Sequence, residues 1–306
     1  MRLSVVVPVY NEEELIDSLC ESIRSSLSAI TDDYEVVIVD DGSQDSTLEL
    51  LMKWHRQDNH FKILSLSRNF GHQAAYTAGL NHTKGDYVVM MDGDLQDPPE
   101  LIAEMYVKLN SKNLDIVFGK RISRNEGFFK KIMIKLFHSI FSRMSNINAP
   151  VNVGNFCIMN RRALDSFIDL KEKNRYLPGL RYFIGFKQSY IEYERSARAA
   201  GKTKMGFGRL TTLAMNALFS FSNIPIRVCV YLGMIGVTFS LIAGGVVLYK
   251  KLTGDAISGW TSTLFSIYFF GSVQLLFLGI IGEYIYRIFV ESQNRPIYIV
   301  REFHDD

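Results

Sequence analysis

Five short apolar runs punctuate the first 120 residues, at 3–9 (LSVVVPV), 35–40 (EVVIVD), 62–66 (KILSL), 86–91 (DYVVMM) and 115–119 (DIVFG). Each is apolar on consecutive rather than alternate positions, the pattern of a strand covered on both faces. Segments with helical spacing lie between them, at 12–30, 46–57, 72–82 and 99–110. This alternation predicts an α/β fold whose mainly parallel sheet carries helices on both sides. Ligands of such sheets bind at the carboxyl ends of the strands. Those ends hold Tyr10-Asn11-Glu12, Asp40-Asp41-Gly42-Ser43, Ser67-Arg68-Asn69 and Asp92-Gly93-Asp94, so polar residues gather on one edge.

The pattern changes in the last quarter. Residues 228–249 contain no charge, residues 264–281 contain none, and the apolar character continues past Glu283 to Val290. Each run reaches the roughly 20 residues that cross a bilayer. Gly233, Gly236, Gly244 and Gly245 suit close helix packing in lipid. Arg227 precedes the first run, and Arg287, Arg295 and Arg301 follow the second, which favours both ends in the cytoplasm. Lys250 and Lys251, in the connecting loop, oppose that rule. Glu283 is expected to pair with Arg287 one helical turn on. The predicted organisation is a cytoplasmic domain at 1–209 and an interfacial linker at 210–227. A two-helix transmembrane hairpin follows at 228–290, with helices near 228–249 and 264–288, then a cytoplasmic tail at 291–306. Basic amphipathic stretches at 128–144 and 195–209 read as interfacial segments. A hairpin of this kind also leaves small and polar residues able to pack between protomers of a homo-oligomer.

Composition narrows the partners. Among 306 residues the net charge is +2, so there is no basic field for nucleic acid. Cys20, Cys157 and Cys229 are scattered, without CxxC spacing, which argues against a zinc site or disulfide framework. Met1 leads straight into the first strand, and no signal peptide is expected. There is no GxGxxG and no GxxxxGK(S/T), so the usual dinucleotide and P-loop cradles are missing.

The acidic loop VVMMDGDLQDPPE, residues 88–100, is the sharpest chemical feature. Asp92 and Asp94, at i and i+2 past a strand, face the same way. Unpartnered, they would repel and raise each other's pKa. A hard divalent cation removes that conflict, and Gln96 adds a neutral oxygen. Gly93 would let the backbone approach a diphosphate. The competing reading is a charged turn capped by Pro98 and Pro99. In the metal reading Asp97 orients the loop, and Glu100 fits the first turn of the next helix.

Longer stretches around these residues carry a resemblance. They are VVVPVYNEE (5–13), VDDGSQDST (39–47), SLSRNFGHQAA (65–75), GDYVVMMDGDLQDPPE (85–100), GKRISR (119–124), RAAGKTK (198–204), SFSNIPIR (220–227) and GEYIYR (282–287). With these the chain resembles family 2 glycosyltransferases of the GT-A fold. More narrowly it resembles the polyprenyl-phosphate hexose synthases, which include dolichol-phosphate mannose synthase and the bactoprenol glucosyltransferases.

The resemblance implies inverting transfer of a hexose, UDP-glucose being the first donor to test, onto undecaprenyl phosphate at the cytoplasmic membrane. It also implies residue roles. Pro8, Tyr10 and Glu12 would line the nucleoside pocket, with Asp40 and Asp41 toward the base and Asp92 near ribose and diphosphate. Asp94 and Gln96, with Asp92 beside them, would hold Mg²⁺ or Mn²⁺. Arg121, Lys130 or Lys131, Arg198 and Lys204 would take the acceptor phosphate. A phosphate monoester is largely a dianion at neutral pH and needs little help from a base.

One departure stands out. Where glucosyltransferase-like relatives read glycine-aspartate-phenylalanine-arginine, this chain reads Gly154-Asn155-Phe156-Cys157. Asn155 cannot ionise as a base, and Cys157 removes a candidate phosphate ligand. Either no base is needed, Asn155 orients by hydrogen bonding, or the substrates differ. Alternatives to the synthase are a processive polysaccharide synthase and a degenerate nucleotide-sugar-binding scaffold. The first lacks a QxxRW-type motif here, and a DxD phosphatase would open its domain with that motif. His72 reads equally as a phosphate contact or a packing residue, and Tyr182, Phe183 and Phe186 as a lipid channel or core.

Overall fold

The computed structural model describes residues 2–122, 153–173, 175, 177–194, 224–253 and 259–305. The chain divides into two compact units, residues 1–214 with 296–306, and residues 215–295. In the first unit the expected strands form as β1 (Leu3–Val9), β2 (Tyr34–Asp40), β3 (Phe61–Leu66), β4 (Tyr87–Met90) and β5 (Ile116–Arg121). The helices between them are α1 (Ile16–Ser28), α2 (Thr47–Gln57), α3 (His72–Asn81) and α4 (Leu101–Ser111). Three further strands complete the sheet: β6 (Val153–Asn160), β7 (Gln188–Tyr193) and β8 (Val300–His304). Helices α5 (Arg161–Ile168) and α6 (Leu177–Phe183) sit between β6 and β7 in sequence.

The strand order is β7-β5-β6-β4-β1-β2-β3-β8. The sheet is mixed rather than mainly parallel. β1–β2, β1–β4, β2–β3 and β5–β7 run parallel, but β6 lies antiparallel between β4 and β5, and β8 runs antiparallel to β3. β1, β2 and β3 are buried along their whole length because both faces are covered. One face packs Val5 and Val7 against Ile16, Leu19 and Ile23 of α1, Leu51 of α2, and Met105 of α4. On the other face α3 comes so close that a Cβ on Gly79 would lie 2.4 Å from Val6 and 2.8 Å from Val39. An alanine there would force helix and sheet apart.

β8 corrects the reading of 291–306 as a tail, since residues 300–304 cover the edge of β3. Its sequence, VREFH, is polar and only partly buried, as edge strands are, so it lacks the apolar signature that reveals central ones. Asp305, just beyond it, contacts Lys62 of β3 and Lys84.

The second unit consists of α7 (Ile224–Leu252) and α8 (Trp260–Ser292). Within α8, Phe269–Ser292 is long and apolar enough to cross a membrane, with a mean hydropathy of 1.6. It is the single candidate span among the described residues, where two were expected. Its apolar side chains are largely exposed within the chain itself, Leu275 at 71% and Ile288 at 67%. The expected Arg287–Glu283 pair forms, at 2.8 Å.

Candidate active site

The loops after β1, β2, β3 and β4 meet at the carboxyl edge of the sheet and are tied to one another. Asn11, in the left-handed region at φ 51°, donates its N–H to Ser43 Oγ (2.9 Å) and accepts from Gln44 N at Oδ1 (2.8 Å). Glu12 N donates to Thr47 Oγ1 at 2.9 Å. These bonds lock the Tyr10–Glu12 turn onto the loop after β2. Pro8 is buried within β1, while Tyr10 and Glu12 are half-buried at its end.

Asp40 and Asp41 are both buried. Asp40 accepts from Ser43 N (3.1 Å). Asp41 accepts from Phe70 N at Oδ1 (2.7 Å) and from Gly71 N at Oδ2 (2.9 Å), so it anchors the β3–α3 loop. Burial pushes both carboxyls above their ordinary range, and the N–H bonds offset only part of that.

Asp92 gathers donors from three elements. Its Oδ1 accepts from Tyr76 Oη (2.7 Å), and His72 Nε2 (3.1 Å) and Asn155 Nδ2 (3.2 Å) converge on the same oxygen. Oδ2 lies 3.7 Å from Arg121. Burial alone would raise this carboxyl, but His72, Tyr76 and Asn155 together hold it well below the ordinary range. Desolvation works against the His72 cation, yet the carboxylates of Asp92, Asp41 and Asp94 raise its pKa overall. With Nε2 protonated, His72 and Asn155 both donate to Asp92, and the 3.2 Å between their nitrogens is packing. His72 thus serves as an acid's partner at the strand ends, a role the sequence reading left undecided.

The rest of the acidic loop divides as a site and a support. Asp94 is half-exposed and its Oδ1 accepts from Gln96 N (3.2 Å) across Leu95, whose φ is 56°. Asp97 has no exposed surface. It accepts from Tyr193 Oη and lies 3.5 Å from Arg121 Nη2, while Arg121 Nε donates to Tyr193 Oη (3.2 Å). Asp97 therefore orients the loop, as expected. Gly93 is buried, and the room its missing side chain leaves is taken by Val9, which a Cβ would meet at 2.8 Å.

Among the described residues no three His, Cys, Asp or Glu side chains group to hold a metal. The donor set of Asp94 and Gln96 is all oxygen, which fits Mg²⁺ or Mn²⁺ held jointly with substrate phosphates rather than in a protein cage. Asp92 Oδ1 is engaged by three donors, while Oδ2 has Arg121 at 3.7 Å.

Arg121 is brought to Asp92 and Asp97. Lys130, Lys131, Arg198 and Lys204 lie outside the described residues. Cys157 is fully buried against Arg181, so position 157 faces the interior and not the strand-end surface. Tyr182 stacks on Phe118 (5.1 Å), whereas Phe183 is exposed. Sequence reasoning missed Arg181. The available signal was a lone charge inside the apolar run LPGLRYFIGF, and a buried charge must find partners.

Asn155→Asp would set a second carboxylate against Asp92 and remove its amide donor. A loss of about 1–3 kcal/mol is expected, a melting temperature roughly 3–9 °C lower at neutral pH. An unchanged melt would show that the Asn155–Asp92 contact contributes nothing.

Residues 4–167 match the family model described as Glycosyl transferase family 2. An uncharacterized glycosyltransferase, YkcC, of Bacillus subtilis is 40% identical, covering 99% of this chain and 94% of that protein. The SfII prophage-derived bactoprenol glucosyl transferase of Shigella flexneri is 36% identical, covering 99% of each. Among solved structures, glucosyl-3-phosphoglycerate synthase from Mycobacterium tuberculosis has a TM-score of 0.51 at 19% identity, covering 72% of this chain and 79% of that one. That likeness speaks for a shared GT-A fold alone. The chain belongs to glycosyl transferase family 2 and is a glycosyltransferase.

Proposed function

We propose that this protein transfers a hexose, glucose in the first instance, from a nucleotide sugar to undecaprenyl phosphate at the cytoplasmic face of the membrane. The observation that carries the reading is the match to a bactoprenol glucosyl transferase over 99% of both chains, which takes in the apolar helix α8 as well as the strand-end site. The acceptor's lipid tail accounts for that helix, because a substrate that stays in the bilayer requires an enzyme held at its surface. Domain 1–209 would then be catalytic, 210–227 interfacial and 228–290 a transmembrane hairpin.

In this reading Pro8, Tyr10, Glu12 and Asp40 surround the nucleoside, and Asp41 shapes the pocket by holding the β3–α3 loop. Asp94 and Gln96 would hold Mg²⁺ or Mn²⁺, which offsets the charge developing on the diphosphate leaving group. Arg121, braced by Asp97 and Tyr193, and Lys130, Lys131, Arg198 and Lys204 would hold the acceptor phosphate. A phosphate oxygen attacks the anomeric carbon as its bond to the diphosphate oxygen breaks, on the opposite face, with inversion. The dianionic acceptor has no proton to lose, so the asparagine at 155 is compatible with turnover.

The test is product formation by the full chain in detergent with undecaprenyl phosphate and, in turn, UDP-glucose, UDP-N-acetylhexosamines and GDP-mannose. Lipid-linked glucose in Mn²⁺ or Mg²⁺, lost by about 100-fold in chelator, is expected. Full activity in chelator sinks the metal role. Nucleotide-sugar binding without turnover would favour the scaffold reading, for which Asn155 is the one supporting observation.

A further inference from the structure

Arg181 heads the largest fully buried side chains. Its Nη2 donates to the carbonyl of Gly154 and its Nη1 to that of Asn155, both at 2.7 Å. Nη1 also lies 2.9 Å from Cys157 Sγ, and Nε reaches Leu177 O at 3.4 Å. The guanidinium carbon is 5.3 Å from the centre of the Phe118 ring. These partners are neutral. Burial raises the Cys157 thiol, which the adjacent cation only partly counters. A guanidinium enclosed by neutral groups is costly to bury, so each of its hydrogen bonds matters.

The two carbonyls belong to the start of β6, whose side chain at 155 reaches Asp92. The helix that bears Arg181 is fastened at its first residue as well, because Leu177 N donates to Gln73 Oε1 (3.3 Å), next to His72. Helix α6 is thus bonded to both segments that bring donors to Asp92. A lysine could not reproduce this, since a single ammonium lacks the planar fork that spans two adjacent carbonyls.

We propose that Arg181 is a positioning residue that clamps the Gly154–Asn155 backbone and so fixes the Asn155 amide on Asp92 beneath the donor site. This rests on the transferase reading of that site. The test is a double-mutant cycle of Arg181→Lys and Asn155→Ala in the full chain, read as kcat for sugar transfer beside the melting temperature. Each single variant should lower kcat at least tenfold. The double variant should fall no more than about threefold below Asn155→Ala alone, because the first change acts through the second residue.

Multiplying effects, or an Arg181→Lys enzyme with half the wild-type kcat, would overturn the proposal. If Arg181→Lys does not fold, Arg181→Gln, which keeps one donor without the charge, takes its place in the cycle. Failure of both to fold would make Arg181 a support of the fold and not of the site. If the wild-type chain transfers no sugar at all, the transferase reading fails separately. The same cycle is then read in equilibrium binding of UDP with Mn²⁺, where additive losses, or none, overturn the clamp.

Discussion

Replacing Asp94 with asparagine is expected to cut sugar transfer by about 100-fold or more, with the melting temperature within about 2 °C of wild type. The substitution separates a loop-closing hydrogen bond from the proposed metal role of this side chain. Its Oδ1 accepts the Gln96 N–H, the bond that closes the loop over Leu95. Asparagine keeps an oxygen at that position, so the loop is retained. What disappears is the negative charge, which in the proposed function makes this side chain a hard ligand for a divalent cation on the leaving diphosphate. Asp92 keeps Tyr76, His72 and Asn155 on its Oδ1 in the variant, so its own network is left in place. The measurement is lipid-linked sugar formed per minute at saturating Mn²⁺, beside a thermal melt. More than a tenth of wild-type activity in the variant would rule out Asp94 as the essential metal ligand.

A comparable effect on stability is expected at the far side of the sheet. Lys62 is nearly buried between Glu35 (3.1 Å), which has almost no exposed surface, and Asp305. Lys62→Met would leave Glu35 with Ser4 Oγ, the Lys84 N–H and the half-exposed Arg2. Breaking one partner from a buried pair costs about 3–5 kcal/mol. Because Arg2 remains, the lower end applies, roughly a 6–12 °C fall in melting temperature for a domain of this size.

The pH dependence follows from the same groups. Burial works against Glu35, but its partners hold its pKa below the ordinary 4.5, and Asp305 is lowered likewise. Their stabilisation is present above the ordinary carboxylate range and is lost as pH falls through the lowered values. Burial also works against the Lys62 cation, yet Asp305 and Glu35 raise its pKa above 10.5. That contribution is present below 10.5 and is lost as pH rises through the raised value. The network therefore supports the fold across the neutral range, and Lys62→Met should flatten both limbs of a melting-temperature profile. A profile unchanged in height and shape would show the network to be energetically neutral.

Consecutive apolar positions at 3–9, 35–40 and 62–66 made the parallel half of the sheet legible, since a strand buried on both faces leaves no polar alternation. The strand-end acids were legible for the same reason: where an apolar run stops, its carboxyl end is in a known place. The apolar composition of α8 also reads directly, because length and hydropathy are properties of the linear chain.

What the linear chain concealed depends on contacts between distant segments. β6 and β8 join strands far from them in sequence, and their partly polar runs acquire identity only from the neighbours they pair with. The sequence placed Asp92 with the nucleotide and Asp97 with the loop, but not the groups that hold each of them. Folding separates them by placing His72, Tyr76 and Asn155 around the first, and Arg121 with Tyr193 around the second. Arg181 is the clearest case. Nothing in LPGLRYFIGF says that its charge faces the carbonyls of Gly154 and Asn155, because that contact is made by the packing of α6 on β6 and by the desolvation that packing imposes.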